Sequence, residues 1–241
     1  MITEGDRIIL SGKGKHYLVR AGAGSLGTDL GMVDLMLLIG KEPGMTIQTR
    51  AGKDLVIRLP RATDFFEKAK RSGAPMLPRD IGLVIGLTGM NKNDMVLDAG
   101  TGSGVAAVFF AGVAGRVVTC ERREEFFHIA KENIQETGLS NIEVINRDIL
   151  SIEGQFDVVH LDLMVTGDHV NHSYKLLRPG GYLACFTPFF EQMGFVYDCA
   201  YNLFSEVFSY ECIMRDMDRS DRGTRPSTKV CHSGYITIAR R

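Results

Sequence analysis

The sequence predicts an α/β protein: a doubly wound, mostly parallel sheet flanked by helices, preceded by a small β domain. Three observations predict it. From residue 76 onward, strand-type and helix-type segments alternate, and that alternation builds a parallel sheet with crossover helices. Between Met95 and Gly104 a strand-type run ends in an acidic residue and passes through a glycine-rich turn into a helix. Before residue 60, short apolar runs are separated by closely spaced glycines, the pattern of a small barrel or sandwich. The expected division is a β domain over 1–60, a linker helix within 61–75 and the α/β domain over 76–241.

In the first part the expected strands are Arg7–Leu10, His16–Val19, Met32–Ile39, Met45–Thr49 and Leu55–Leu59. Pro60 marks the boundary. Arg61–Ser72 reads as the linker helix, with Phe65, Phe66 and Ala69 on one side and Lys68, Lys70 and Arg71 nearby. Those basic residues have two readings, a solvated face or a contact with nucleic acid. A helix follows over Arg79–Ile85, with Asp80 as its expected N-cap.

The central stretch is Met95-Val96-Leu97-Asp98-Ala99-Gly100-Thr101-Gly102-Ser103-Gly104. Glycine permits positive φ and close approach of a ligand to backbone, and the first turn of the helix that follows offers unpaired N–H groups. The second strand, Arg116–Cys120, ends in Glu121, where a carboxylate can accept both hydroxyls of a ribose. Dinucleotide enzymes space their glycines G-x-G-x-x-G and seat a pyrophosphate on the helix. Here the spacing is G-x-G-x-G with Asp98 just before it. An acidic neighbour disfavours phosphate and favours a ligand with a cationic or amino-acid part. S-adenosylmethionine, with its amine, sulfonium and ribose, is the expected cofactor.

The remaining elements extend the alternation. Glu124–Gly138 is amphipathic, with Phe126, Ala130 and Ile134 recurring at helical spacing. Strand Ile142–Ile145 precedes Asp148, which has two readings: acceptor for an adenine amino group, or a solvated turn aspartate. Strand Phe156–Leu161 ends in Asp162. A helix ends in Lys175–Gly181 and turns into strand Tyr182–Phe186. Phe190–Phe204 is a further helix, and strands Val207–Met214 and Gly234–Ala239 are joined by a charged loop, Arg215–Lys229. Ligands of such sheets bind beyond the carboxyl ends of the strands, and Asp98, Glu121, Asp148 and Asp162 all fall there. The expected cofactor set is Asp98, Gly100, Thr101, Gly102, Ser103, Gly104, Glu121, Arg122, Asp148 and Ile149.

Composition narrows the partners. A formal charge of −1 gives no global attraction to nucleic acid or membrane, so a polyanion must meet a local basic patch. Five cysteines without C-x-x-C spacing argue against zinc and against a disulfide framework, and for a reducing cytoplasm. No metal is expected. No apolar run is long enough to cross a bilayer, and no signal peptide opens the chain.

The chain resembles the tRNA (adenine-N1) methyltransferases of the archaeal and bacterial branch, which modify a T-loop adenine (position 58, position 57 or both). The resemblance spans nearly the whole length. Gly5-Asp6, Gly27-Thr28, Gly31, Ile39-Gly40-Lys41 and Gly44 resemble the family's N-terminal β domain. Arg71 and Pro78-Arg79-Asp80 resemble its Arg…Tyr-Pro-Lys-Asp segment. Leu177-Arg178-Pro179-Gly180-Gly181, Pro188, Gln192, Arg215, Arg225-Pro226 and His232-Ser233-Gly234-Tyr235 follow in the family's order. The resemblance implies a seven-stranded Rossmann-like class I methyltransferase sheet, S-adenosylmethionine as donor, tRNA as substrate and a homotetramer. It places Leu77, Pro78, Gln192 and His232 beside the acceptor.

Two departures lie on the acceptor side. Leu77 stands where the family has a tyrosine, and Asp162-Leu163-Met164-Val165-Thr166-Gly167 replaces Asp-Leu-Pro-x-Pro-Trp. Asp162 is the expected catalytic residue, accepting a hydrogen bond from the exocyclic amine as adenine N1 takes the methyl group; its other reading is a helix N-cap. For Arg215, Arg219, Arg222, Arg225 and Lys229 in the late loop, phosphate contact and a solvated or subunit-contacting loop both stand. The competing functions are a methyltransferase for another RNA base or a small molecule, and a catalytically weak paralogue acting as a binding subunit.

Overall fold

The computed structural model describes residues 1–229 and 231–241. The chain divides into two compact units: Met1–Ala69 with Glu136–Gly138, and Lys70–Gln135 with Leu139–Arg241.

The first unit holds strands β1 (Arg7–Gly12), β2 (Lys15–Arg20), β3 (Ser25–Thr28), β4 (Gly31–Asp34), β5 (Thr46–Gln48) and β6 (Asp54–Arg58), then helix α1 (Ala62–Lys68). Four strands form an antiparallel sheet in the order β2-β1-β6-β5, and β3 pairs with β4 as a hairpin. β1 is interior, so Ile8, Ile9 and Leu10 are all buried, and with Val19, Val33, Leu38, Leu55 and Ile57 they supply the unit's core. Three expectations change. The single strand expected over Met32–Ile39 stops at Asp34, whose Oδ1 accepts from the Met36 amide at 3.0 Å and starts a 3₁₀ turn over Leu35–Leu38. That local side-chain bond offers the backbone an alternative to the ladder. The pairing of Ser25–Thr28 into a hairpin was not among the expected strands. The linker helix is shorter than Arg61–Ser72, because Ala69 already has extended backbone.

The second unit holds α2 (Pro78–Thr88), β7 (Met95–Ala99), α3 (Val105–Ala111), β8 (Arg116–Cys120), α4 (Glu124–Gln135), β9 (Ile142–Ile145), β10 (Phe156–Leu161), α5 (Gly167–Leu176), β11 (Leu177–Thr187), α6 (Phe190–Tyr201), β12 (Glu206–Glu211), β13 (Met217–Ser220), β14 (Gly223–Pro226) and β15 (Tyr235–Arg240). Seven strands form one sheet in the order β12-β15-β11-β10-β7-β8-β9. The five from β11 to β9 are parallel, and β15 runs antiparallel to both its neighbours. The chain leaves β7 toward β8 and β9, then returns on the other side of β7 with β10. That reversal between β7 and β10 is where such sheets open a ligand crevice. Leu97, Ala99, Val159, Leu161, Leu183 and Cys185, on the central strands, are buried.

Three further differences have local causes. Asp80 does not cap α2. Leu77 is the N-cap and Pro78 the first helical residue, where a fixed φ and a missing N–H cost nothing. Asp80 lies inside the first turn and is fully buried. The turn expected at Arg178–Gly181 is part of β11: the register against β10 shifts between Phe156↔Leu177 and Val158↔Tyr182, so these residues form a bulge. Gly180 takes φ +82, and a Cβ on Gly181 would lie 2.7 Å from the Asp157 carbonyl oxygen. The charged loop over 215–229 contains the β13–β14 hairpin, all of whose strand residues are exposed. Among the described residues no helix is long and apolar enough to cross a membrane.

Candidate functional site

The site is built from the carboxyl ends of β7, β8 and β10. Asp98 on β7 stands in register with Thr119 on β8 and His160 on β10. Thr119 Oγ1 donates to Asp98 Oδ2 at 2.6 Å, and His160 Nδ1 lies 2.7 Å from Asp98 Oδ1. Thr119 spends its hydrogen on Asp98, so Thr101 must donate in the 2.6 Å contact between the two threonine hydroxyls. All four side chains are buried. The glycine loop is thus tied to three strands by a buried polar row, and Asp98 serves as its centre. Expected beside the ligand's cationic end, Asp98 turns inward and does not line the cleft.

The loop itself passes through Gly100, Gly102 and Gly104, each with positive φ. Gly100 makes the close approach: a Cβ there would lie 2.0 Å from the Asp162 carbonyl oxygen. The Asp162 amide donates to the Ala99 carbonyl at 2.9 Å, which locks the end of β10 against the start of the loop. On the far side, Asn133 of α4 donates to the Ser103 and Lys70 carbonyls at 2.8 and 3.0 Å, holding the loop to the segment before α2.

A two-lobed cleft opens above these elements, its lobes about 270 and 280 Å³, together in the range of small-molecule sites, about 300–1,000 Å³. Gly100, Arg123 and Asp162 border both lobes. Glu121, Arg122, Asp148 and Ile149 line the first. Thr101, Gly102 and Ser103 line the second, facing Ser72–Met76. Gly104 caps α3 and lines neither. Leu77, Pro78, Gln192 and His232 also lie outside both walls. Leu77 and Pro78 directly follow the segment that closes the second lobe. His232 Nδ1 pairs with Glu211 Oε1 at 2.8 Å, and its ring lies 5.1 Å from Tyr235, which packs edge-on to Phe190.

Three carboxylates face the first lobe, each in a different electrostatic setting. Burial pushes the Glu121 carboxyl upward, but the Arg123 side chain and the amides of Arg123 and Gly102 outweigh it, and the net displacement is downward. Asp148 Oδ1 caps a 3₁₀ turn by accepting from the Leu150 amide at 2.9 Å, and its Oδ2 lies 3.9 Å from Arg122. Asp148 therefore both caps a turn and borders the cleft. Asp162 is pushed up to about 6 by burial, opposed by His160 and reinforced by Asp98. It caps no helix, because Thr166 is the N-cap of α5.

Sequence reasoning missed Arg123, Arg147, His169 and the Ser72–Met76 wall. Arg123 alone left a signal, standing two residues past the strand-end acid, within reach of it. The others are brought in by folding and carry no pattern of their own.

The chain's strand-end acids and glycine cradle suit a nucleoside carrying an amino-acid tail, and comparison with known proteins gives the same direction. The family described as tRNA methyltransferase complex GCD14 subunit matches residues 75–222. The tRNA (adenine(57)-N(1)/adenine(58)-N(1))-methyltransferase TrmI of Methanocaldococcus jannaschii is 30% identical over 97% of this chain and 94% of its own. The tRNA (adenine(58)-N(1))-methyltransferase TrmI of Thermus thermophilus is 27% identical over 78% of this chain and 77% of its own. Among solved structures, a SAM-dependent O-methyltransferase from Thermotoga maritima superposes with a TM-score of 0.86 at 27% identity, covering 100% of this chain and 94% of its own. The tRNA (m1A58) methyltransferase TrmI of Aquifex aeolicus shares the fold with a TM-score of 0.79 at 24% identity, over 99% and 98% of the two chains. With a fold and a family match that agree along most of its length, the chain belongs to the tRNA methyltransferase GCD14 family and is a methyltransferase.

Proposed function

We propose that the protein transfers a methyl group from S-adenosylmethionine to N1 of a T-loop adenine in tRNA. The observation that carries this reading is the convergence of Glu121 and Asp162 on the cleft beside Gly100, in a chain alike over nearly its full length to an adenine-N1 enzyme. The cleft suits the donor: it is lined by the strand-end carboxylates of Glu121, Asp148 and Asp162, acceptors of the kind a ribose and an adenine amino group require. When bound, S-adenosylmethionine supplies a methyl group activated by its sulfonium. Glu121 would hold the ribose hydroxyls, Asp148 and Ile149 the adenine, and the second lobe, lined by Thr101, Gly102 and Ser103, would take the amino-acid end. Asp98 acts behind them by fixing the loop through Thr119 and Thr101.

Adenine N1 carries its own lone pair, so the chain needs no strong base to make the nucleophile. Positioning supplies most of the rate, with negative charge near a base that becomes cationic. Asp162, at the border of both lobes, accepts from the exocyclic amine in this reading. The stacked adenine must be extruded to reach it. Leu77 gives that base apolar contact without a ring face, which favours weaker holding and keeps a second reading, another RNA base as acceptor. Leu77, Pro78, Gln192 and His232 would border the acceptor's path. A homotetramer suits the exposed Phe208 and Tyr210 on the outer strand β12, and the five free cysteines suit a reducing cytoplasm.

The test is purified protein with labelled methyl donor and unmodified tRNA, followed by digestion to nucleosides. N1-methyladenosine in the T-loop is expected. A different methylated nucleoside would establish the second reading, and no labelled nucleoside would refute both.

A further inference from the structure

Glu121 is assigned above to the ribose hydroxyls, yet the chain already fills its acceptor positions. Oε1 accepts from the Arg123 amide and from Arg123 Nε, each at 3.0 Å. Oε2 accepts from the Gly102 amide and from Arg123 Nη2, each at 3.2 Å. A carboxylate offers about four lone-pair sites across its two oxygens, and all four are used. The two amides belong to backbone that the strand end and glycine loop hold in place. The other two donors form the planar fork of a guanidinium, on a side chain 53% exposed, against 3% for its partner.

A guanidinium fork and a vicinal diol make the same demand, two parallel donors on two oxygens of one carboxylate. We propose that Arg123 is a built-in competitor for the ribose diol, and so sets both affinity and hydroxyl selectivity at the donor site. The inference rests on reading the cleft as that site. The buried carboxylate stays paired while the cleft lacks a nucleoside, which avoids an uncompensated buried charge. A ligand bearing both hydroxyls replaces the fork; one lacking them cannot. The displaced group has somewhere to go: its guanidinium carbon already lies 3.9 Å from the centroid of the Phe126 ring, and Arg123 borders both lobes. Stacking on that face survives while the fork turns away from Glu121.

The experiment is calorimetric titration at pH 8 of wild type, Arg123→Met and Arg123→Lys with S-adenosylhomocysteine and with its 2′,3′-dideoxy analogue. Methionine keeps an apolar stem over Phe126 without donors; lysine keeps the charge without the fork. The expected result is S-adenosylhomocysteine binding about 5–20-fold tighter to Arg123→Met, a smaller gain for Arg123→Lys, and no gain for the dideoxy analogue. Weaker or unchanged binding of S-adenosylhomocysteine by both variants overturns the inference, as does an equal gain for both ligands. Failure of the wild type to bind S-adenosylhomocysteine overturns the reading of the cleft itself, and the inference with it. Thermal unfolding of each variant confirms that the comparison is made between folded proteins.

Discussion

Asp162 carries two consequences of burial that can be measured separately. Its carboxyl is raised from 3.8 to about 6, so the fold disfavours the ionised form. Stability held while the group is protonated, fully present below about 4, is lost as pH rises through about 6. Unscreened, a shift of this size amounts to roughly 3 kcal/mol, and partial exposure reduces it to roughly 1–2 kcal/mol. Asp162→Asn should therefore raise stability by that amount at pH 8 and by almost nothing at pH 4, read by urea unfolding at the two values. The same substitution should lower kcat at least 100-fold with donor affinity within about threefold; equal loss of both would assign Asp162 to the fold or to donor binding. Gly100 makes the opposite kind of demand. A Cβ 2.0 Å from a backbone oxygen has no soft neighbour to push aside, so Gly100→Ala should cost about 3 kcal/mol or more and remove donor binding, by thermal unfolding and calorimetry. That this glycine turn lines a cleft was legible from its spacing. That Asp98 faces away from the cleft was not, since the register of three strands decides which way its oxygens turn.

Among elements, α2 and α5 show how caps separate structure from function. Leu77 is the N-cap of α2, and its apolar side chain supplies no cap hydrogen bond for a substitution to remove. Leu77→Tyr should leave the melting temperature within about 2 °C and raise kcat/KM for tRNA about five- to tenfold, because stacking a base on an aromatic face contributes roughly 1–3 kcal/mol. Steady-state kinetics on tRNA checks this, and unchanged kinetics would place Leu77 away from the acceptor. Thr166 is the converse case. It caps α5 with its hydroxyl, and Thr166→Ala should cost about 1 kcal/mol in urea unfolding without altering donor affinity. The parallel strands and their helices were readable from periodicity. Cap positions were less so: Pro78 moved the start of α2 ahead of Asp80, and Asp34 ended β4 early. In both cases one local bond or one fixed φ outweighed the longer pattern.

For the whole molecule, net charge limits how RNA is held. At −1 overall the chain has no general pull on a polyanion, so affinity must come from a few local cations. Binding of tRNA should then show a moderate salt slope, each phosphate contact contributing about 0.7–0.9 to log K against log salt. Neutralising Arg219, Arg222 and Arg225 together, all exposed on or beside the β13–β14 hairpin, should reduce the slope by about two to three if that hairpin meets the backbone. Filter binding across a salt series measures it, and an unchanged slope would leave the hairpin out of the RNA surface.

Local pattern by itself determined the alternation of elements, the glycine turn and the row of acids at strand ends, because period and turn chemistry act over a few residues. Only the tertiary structure decided what those acids face. Strand order brought Asp98 between Thr119 and His160 and placed Asp162 against Gly100. Each of these depends on which strands become neighbours, and that is settled by burying the whole sheet rather than by any short stretch of chain.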